Sequence, residues 1–331
     1  MNEAMLSILL LWTFVLLYGF AGAFDFGAGF WSMVYSKEGH TMAGKIANHY
    51  LSPSWEVTNV FLVMFAVALI SFFPNAVFTL GTVLLIPGSL ILILLLIRTA
   101  FLVFANSVEG YRKILNGVSG ITGLLIPALL IAVLPISHGG YIELINGYQQ
   151  LSLVKVFTSP SVFAFIGLAV STTLYLSALL LADYARVIGD NSAVMIYRKN
   201  AKWSGPFTIL FGILVIITSM FEASWLYEGI MERYLWLLAS IIAFVIAYVS
   251  LWAKKAGRIT LIATVTQYLT ASYAYGAAHL PYLVYPATIE ESFTNLQMYN
   301  SLISSHIIGT IILIPVLFYH WRLFMGYKKP V

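Results

Sequence analysis

The chain has 331 residues, of which 60% are hydrophobic and only 9% are charged, whereas about a quarter of the residues in an average soluble domain are charged. This composition excludes an ordinary soluble enzyme and predicts an integral membrane protein. Cysteine is absent, so disulfides, thiolate catalysis and cysteine-ligated zinc or iron-sulfur centres are excluded. The net charge of +4 is not gathered into a basic tail or stripe, so no nucleic-acid partner is expected.

Nine apolar segments follow one another along the chain, each close to the roughly 20 residues that a helix needs to cross the hydrocarbon core. Lipid accepts only helices or closed barrels, and these segments lack the period-two alternation of barrel strands. We therefore predict an all-α integral membrane fold without strands. Because no connection is long enough to bury a core of its own, residues 1–331 are predicted to form a single polytopic membrane domain. The predicted spans are residues 5–33, 55–73, 76–104, 117–136, 160–183, 204–224, 234–253, 257–279 and 300–322.

The basic residues indicate how these spans are oriented. With nine spans, all but two of the 17 lysine and arginine residues fall on one side of the membrane. The two exceptions are Lys155 and Arg233. By the positive-inside rule, the sequence predicts an N-terminus outside the cell and a C-terminus in the cytosol.

One acidic residue lies inside the first predicted span. The segment GFAGAFDFGAGFW, residues 19–31, places Asp25 in a run that is otherwise apolar or glycine. An isolated ionised carboxylate at this depth is costly, so it must be paired, hydrated or protonated. Two interpretations stay open: an acid that locks helices together, or an acid that takes up and releases protons along a path. In the same span, Gly19, Ala23 and Gly27 recur every four residues and predict a smooth stripe for a neighbouring helix.

A second acidic residue opens the next span, in SPSWEVTNV, residues 52–60. Pro53 and the serines beside it resemble a helix start, and Glu56 in the first turn can simply complement the helix dipole. The same position lies at the cytosolic membrane edge beside Trp55, a suitable entrance for protons that move to Asp25. Capping alone and proton entry both stay open for Glu56. The residues of the predicted proton path are Asp25, Glu56, Thr58 and Asn59.

Three residues, Arg98, Trp55 and His306, are candidates for pairing or structural roles. Arg98 ends the third span in LLLIRTAFLVF, where we expect it to extend to the cytosolic surface, or to pair with Glu56 or a partner protein. His306 is the one histidine at a plausible depth for an axial heme ligand. A single buried histidine is more often a hydrogen-bonded core residue, so we expect this chain to ligate no heme and no metal. Walker, GxGxxG and HExxH motifs are absent, which argues against ATP-driven transport, dinucleotide binding and zinc proteolysis.

These segments together resemble subunit II of the cytochrome bd quinol oxidases, the terminal oxidases of bacterial respiratory membranes. The middle of the chain agrees with that family mainly in the order and length of its spans. The family often has Asp-Gly-Asn-Gln after the tryptophan of the second motif, whereas residues 56–59 here are Glu-Val-Thr-Asn. The matching segments are AFDFGAGF at 23–30, SPSWEVTNVFLV at 52–63, the region of Arg98, QYLTASYAYGAAHLPYLVYPA at 267–287 and LIPVLFYHWRLFMGY at 313–327.

The resemblance implies a subunit of two four-helix bundles plus one peripheral helix, without hemes of its own. Its partner would be a heme-bearing subunit I that contains heme b and heme d, oxidises the quinol substrate and reduces dioxygen to water. The resemblance also implies that Asp25 and Glu56 help to bring cytosolic protons to the oxygen-reducing site. The expected location is the cytoplasmic membrane of a bacterial cell, in contact with the lipid bilayer, and a small accessory subunit is left open.

Two other functions stay open. A secondary transporter would use Asp25 and Glu56 as coupling-ion sites, but such transporters usually have broken helices at equivalent positions of two repeats. No repeat is visible in this sequence. A purely structural membrane scaffold would need no proton role for either acid.

Overall fold

The computed structural model describes residues 3–36, 42–104, 112–145, 148–253, 257–294 and 296–325, without the side chains of residues 49–56 and of some others. Most of this part of the chain is helical. The helices are α1 (Glu3–Tyr35), α2 (Met42–Phe72), α3 (Pro74–Val83), α4 (Leu85–Phe104), α5 (Arg112–Ile131), α6 (Val133–Ser137), α7 (Leu153–Thr158), α8 (Pro160–Ile188), α9 (Asn191–Glu222), α10 (Ser224–Glu232), α11 (Tyr234–Trp252), α12 (Gly257–His279), α13 (Ile289–Ser292) and α14 (Leu296–Met325). The strands are β1 (Ile142–Ile145), β2 (Tyr148–Leu151), β3 (Tyr282–Val284) and β4 (Ala287–Thr288).

Within the described ranges, seven helices are long and apolar enough to cross a membrane, or eight if α2 and α3 together form one bent span. The chain is therefore a mostly helical, multi-pass membrane protein. Helix α12 coincides with the eighth predicted span but is too polar to meet the same criterion. Its polar side chains Thr260, Thr264 and Gln267 are buried against other helices instead of facing lipid. The count of nine spans stays a prediction.

A sharp bend separates α2 from α3, which meet at 117°. Pro74 is the first residue of α3, and Phe73 before it has the non-helical dihedrals φ −131° and ψ 59°, as expected for a residue that precedes proline. The predicted span over 76–104 is interrupted again at Leu84. Pro87 has no N–H to donate to the carbonyl of Val83, which accounts for an interruption of the helix at this point.

Two short antiparallel hairpins show that the prediction of a fold without strands was wrong. Strand β1 pairs with β2, and β3 pairs with β4. Both hairpins lie in connections between helices, outside the candidate spans. The physical argument against strands applies to the hydrocarbon core, where unpaired backbone groups find no water, and it does not reach these connections.

Helix α1 lies at the centre of the fold, where it packs against α2, α5 and α8. Helix α8 pairs along its length with α9, α11 pairs with α12, and α14 packs on α2 with most of its surface exposed. The core between α1, α2, α8 and α9 is rich in alanine, including the fully buried Ala28, Ala43 and Ala178. Small side chains let helix backbones approach closely, which is a main source of helix association in lipid.

The predicted smooth stripe on α1 is confirmed at Gly27 but not at Gly19. A Cβ added at Gly27 would lie 2.6 Å from the carbonyl oxygen of Thr173 in α8 and closer still to the Ser177 side chain. A Cβ added at Gly19 would meet nothing within 4 Å. Helix α8 therefore crosses α1 at the Gly27 end of the stripe.

Candidate functional site

Asp25 is enclosed where α1, α4 and α5 meet, with only 2% of the residue exposed. Two glycines allow this approach. A Cβ added at Gly29 of α1 would lie 2.8 Å from Ser119 Oγ of α5 and 2.9 Å from Arg98 Nη1 of α4. A Cβ added at Gly123 of α5 would overlap the carbonyl oxygen of Phe26. Gly29 of the AFDFGAGF segment and Gly123 of α5 therefore allow the α1 backbone to lie directly against α4 and α5.

The carboxylate of Asp25 forms a buried ion pair with Arg98. Arg98 Nη2 lies 3.2 Å from Asp25 Oδ2 and donates a 3.0 Å hydrogen bond to the Asp25 carbonyl oxygen. Arg98 Nη1 donates to the carbonyl oxygen of Ser119 at 2.6 Å and to Ser119 Oγ at 3.2 Å. The guanidinium also lies 5.1 Å from the centre of the Phe26 ring. A buried charge is tolerated when it is paired and hydrogen-bonded, and both groups meet that condition here.

The structure places Arg98 differently from our expectation of a side chain that extends to the membrane surface, because only 2% of the residue is exposed. The expectation that Arg98 is paired agrees with the structure, but the partner is Asp25. The pair is made between residues 73 positions apart in the chain. Helix packing brings them together, and no local pattern in the sequence marks one as the partner of the other.

The structure also brings Thr58 to this region. Thr58 of α2 is 2% exposed, and its Cγ2 lies 3.9 Å from the Cβ position of Gly22, one turn before Asp25. Asn59 is half-buried beside it. Helix α2 begins at Met42, so the prediction of a helix start at Pro53, with Glu56 in the first turn, was wrong. The side chains of Trp55 and Glu56 lie outside the described part of the structure. Thr58 therefore lies against α1 one turn from Asp25, and the path from Glu56 through Thr58 to Asp25 stays a prediction.

Tyr18 and Ser119 belong to the site but were missed in the sequence analysis. Tyr18 interacts electrostatically with both Asp25 and Arg98. Its hydroxyl is buried, and among the described residues it has no hydrogen-bond partner. A signal was available for Tyr18, because it precedes Asp25 by seven residues, nearly two helical turns, and so lies on the same face of α1. No comparable signal marks Ser119 within α5.

The histidine side chains that the structure describes form hydrogen bonds within the protein. His279 Nε2 lies 3.1 Å from Ser137 Oγ and its Nδ1 lies 2.9 Å from the carbonyl oxygen of Tyr282. His138 Nε2 lies 2.7 Å from the Tyr275 hydroxyl. His306 Nδ1 bonds to the carbonyl oxygen of Leu302 at 2.8 Å. Both ring nitrogens of His279 are hydrogen-bonded, so neither is free to act as an axial heme ligand.

His138 predicts a measurable loss of stability in acid. Burial, with a smaller contribution from nearby His279, lowers the pKa of His138 to about 3, from 6.5 in an exposed side chain. Between these two pH values the unfolded chain binds a proton that the folded chain does not, so stability falls as the pH falls through this range. We expect the thermal midpoint of the assembled complex to fall less between pH 7 and about 4.5 in His138→Gln than in the wild type.

Tyr275→Phe is the control for this experiment. It removes the partner of His138 but leaves the buried imidazole, so it should lower the midpoint without reducing its dependence on pH. An acid-induced decrease of the same size in His138→Gln and in the wild type would contradict the assignment.

Together, the fold and this site define a multi-pass helical membrane protein with a buried ion pair between α1 and α4, beside α5. A family model described as cytochrome bd terminal oxidase subunit II matches residues 4–324. A Bacillus subtilis (strain 168) protein described as a putative cytochrome bd menaquinol oxidase subunit II is 48% identical, over 99% of this chain and 97% of that protein. A chain in the structure of bd oxidase from Geobacillus thermodenitrificans is 36% identical, with a TM-score of 0.86 over 99% of this chain and all of that one.

The chain therefore belongs to the cytochrome bd terminal oxidase subunit II family. It is part of a quinol oxidase complex, whose other main component is subunit I, and the family implies that the complex contains heme. The transporter alternative is not favoured, because both the relatives and the fold are those of the oxidase subunit. Within the described ranges, no group of three or more histidine, aspartate or glutamate side chains is arranged to hold a metal ion.

Proposed function

We propose that this chain is the heme-free subunit of an oxidase that oxidises menaquinol and reduces dioxygen to water in the cytoplasmic membrane of a bacterium. The name of the Bacillus subtilis relative supports menaquinol as the electron donor. Heme b and heme d, held by subunit I, would supply the redox chemistry. The residues of this chain would pack against subunit I and carry protons.

We also propose nine spans in two four-helix bundles plus one peripheral helix, within a single membrane domain. The peripheral position of α14 is supported by its packing on α2 and by its exposed surface. An N-terminus outside and a C-terminus in the cytosol are supported by the distribution of lysine and arginine. This orientation places the α1–α2 connection on the cytosolic side, and protons would reach Glu56, which lies within α2, from that side.

The proposed proton route enters at Glu56 and passes Asn59 and Thr58 to Asp25. Thr58 and Asn59 follow Glu56 by two and three residues, within one turn of α2. The observation that supports the proposal is the burial of Asp25 on α1, one turn from Gly22, the residue that Thr58 approaches. A carboxyl group at such a position can accept and release a proton if hydrogen-bonded neighbours connect it to water.

Arg98 does not prevent this role. When Asp25 is ionised, Arg98 neutralises it at 3.2 Å. When Asp25 takes up a proton, the guanidinium keeps the carbonyl oxygens of Asp25 and Ser119 as acceptors. The cation therefore stays hydrogen-bonded in both protonation states of Asp25, which reduces the energetic difference between them.

The test is the turnover of the assembled oxidase with Asp25→Asn. The asparagine oxygen can still accept from Arg98, which limits the loss of stability on removal of the counter-ion. We therefore expect the heme spectrum to be present at a lower thermal midpoint and the quinol oxidation rate to fall by about a hundredfold or more, as for loss of a proton-transfer group. Proton uptake followed with a pH-sensitive dye should slow in parallel, and Glu56→Gln should have an effect in the same direction.

Asn75→Asp is a control that alters a polar residue far from the route, where the Asn75 side chain donates to the carbonyl oxygen of Glu291. Its turnover should match the wild type. Unchanged turnover in Asp25→Asn would remove Asp25 from the route. Loss of the hemes in Asp25→Asn would instead support the scaffold alternative, in which the ion pair only holds helices together.

A further inference from the structure

A surface cleft far from Asp25 lies where one end of α8 meets the start of α9, the end of α11 and the start of α12. The cleft is shallow and opens to the outside. Its polar lining includes Arg186, Arg198, Ser250 and Thr260. None of these residues belongs to the proposed proton route, and no role above accounts for two arginines at one cleft.

Each arginine is fixed in place by its surroundings. Arg198 Nη2 donates to the carbonyl oxygens of Leu251 and Ala253, the latter at 2.9 Å, at the C-terminal end of α11. Arg186 Nη1 lies 3.6 Å from Asp183 and against Gly257, where a Cβ would collide with the guanidinium. Gly257 therefore leaves room for Arg186 at the N-terminus of α12, whose helix dipole also favours an anion.

The charge in this cleft is incompletely balanced. The two guanidinium groups are close enough to repel each other, and Asp183 is the one acidic residue in the described lining. An anion placed between Arg186 and Arg198 would relieve this repulsion and accept hydrogen bonds from both planar groups.

Three exposed apolar residues are next in sequence to lining residues of the cleft. Val187, Trp252 and Ile259 are 79%, 61% and 58% exposed. Lys202 Nζ lies 3.7 Å from the centre of the Trp252 ring. Tryptophan with a nearby lysine is typical of the level of the lipid headgroups. A ligand that fits both surfaces has a negatively charged phosphate and long apolar chains.

We propose that this cleft binds the phosphate headgroup of an anionic phospholipid, with the phosphate between Arg186 and Arg198 and the acyl chains along Trp252 and Ile259. Basic pockets between membrane helices on the cytoplasmic side are suited to such lipids. The site goes beyond the proposed proton route, because it shares no residue with that route and lies between different helices.

The test uses the purified, delipidated oxidase complex in detergent, titrated with phosphatidylglycerol and followed by native mass spectrometry. We expect Arg186→Gln to lower the affinity for the tightest bound phosphatidylglycerol by about fivefold, the effect of one basic residue at an anionic membrane surface. Asp183→Asn should raise that affinity, because it removes the competing carboxylate. In all these variants, adding Asp25→Asn should lower the rate of quinol oxidation by the same factor as in the wild type.

Arg233→Gln is the matched control, because Arg233 lies at the other end of α11 and also pairs with a neighbouring acid, Glu232, at 3.3 Å. It should bind phosphatidylglycerol like the wild type. Equal binding by Arg186→Gln and Arg233→Gln would overturn the proposal. If Arg186→Gln does not assemble, the absence of tighter binding in Asp183→Asn would overturn it. Displacement by millimolar inorganic phosphate as effective as displacement by the lipid would assign the cleft to free phosphate and overturn the lipid assignment.

Discussion

Arg98→Met is expected to prevent normal accumulation of the oxidase complex or to lower its thermal midpoint strongly. The substitution keeps an unbranched side chain but leaves the carboxylate of Asp25 buried without its cation, and it removes the donor to the carbonyl oxygen of Ser119. Breaking a buried ion pair by removal of one partner costs about 3–5 kcal/mol. The measurement is the yield of heme-containing complex from membranes, followed by thermal denaturation of whatever is purified.

A second substitution distinguishes an unpaired charge from lost packing. Asp25→Asn combined with Arg98→Met removes both charges, so the double variant should accumulate better than Arg98→Met alone. Arg233→Met is the surface control: Glu232, the partner of Arg233, has a 76% exposed side chain, and an exposed pair contributes at most about 1 kcal/mol. Equal losses in the single and double variants would show that the ion pair does not determine stability at this position.

Gly27→Ala is expected to destabilise the contact between α1 and α8. The added methyl group would lie 2.6 Å from the carbonyl oxygen of Thr173 and would overlap Ser177, whose hydroxyl also accepts a 2.9 Å hydrogen bond from Trp31 Nε1. The Thr173 oxygen belongs to the backbone, so the helices themselves must separate. Overpacking of this kind costs about 1–3 kcal/mol. Thermal denaturation of the purified complex, followed by heme absorbance, measures the effect.

Gly19→Ala is the control within the same helix, because a Cβ there meets nothing within 4 Å. Alanine is the better helix former by about 1 kcal/mol, so this variant should be neutral or slightly stabilised. Ser177→Gly should partly rescue Gly27→Ala by removing the closest side chain, while the Thr173 carbonyl oxygen stays in place. Similar midpoints for Gly27→Ala and Gly19→Ala would contradict the close crossing of α1 and α8.

The buried ion pair illustrates the limit of sequence reasoning at this site. The sequence identified Asp25 as an acid that needs compensation, because its neighbours from Met5 to Tyr35 provide no cation. It also identified Arg98 as a candidate for pairing. The two were not matched, because a pairing across 73 residues depends on the packing of α4 and α5 against α1. The side chain of Glu56 belongs to the part of the site that stays a prediction.

Helix α12 shows why span counts from sequence and from structure differ. In the sequence, a span was predicted wherever a mainly apolar segment reached roughly 20 residues. Helix α12 is long enough, with 23 residues. The hydropathy criterion excludes it, because Thr260, Thr264 and Gln267 lower its apolar content. These polar residues are compatible with a membrane helix only because other helices bury them, and Ser240 donates to the Gln267 carbonyl oxygen at 3.0 Å.

The amino-acid sequence by itself determined that the chain is a multi-pass helical membrane protein, which family it resembles, and that Asp25 is an acid requiring compensation. The membrane class and the need of Asp25 for compensation depend on the transfer of side chains from water to lipid, and the family resemblance depends on short motifs. All three can therefore be read from consecutive residues. Only the tertiary structure decided that Arg98 pairs with Asp25 and that α8 crosses α1 at Gly27 and not at Gly19. It also decided that Arg186 and Arg198 line the same cleft. Such contacts depend on the rotation and crossing of helices distant in the chain, which no local pattern specifies.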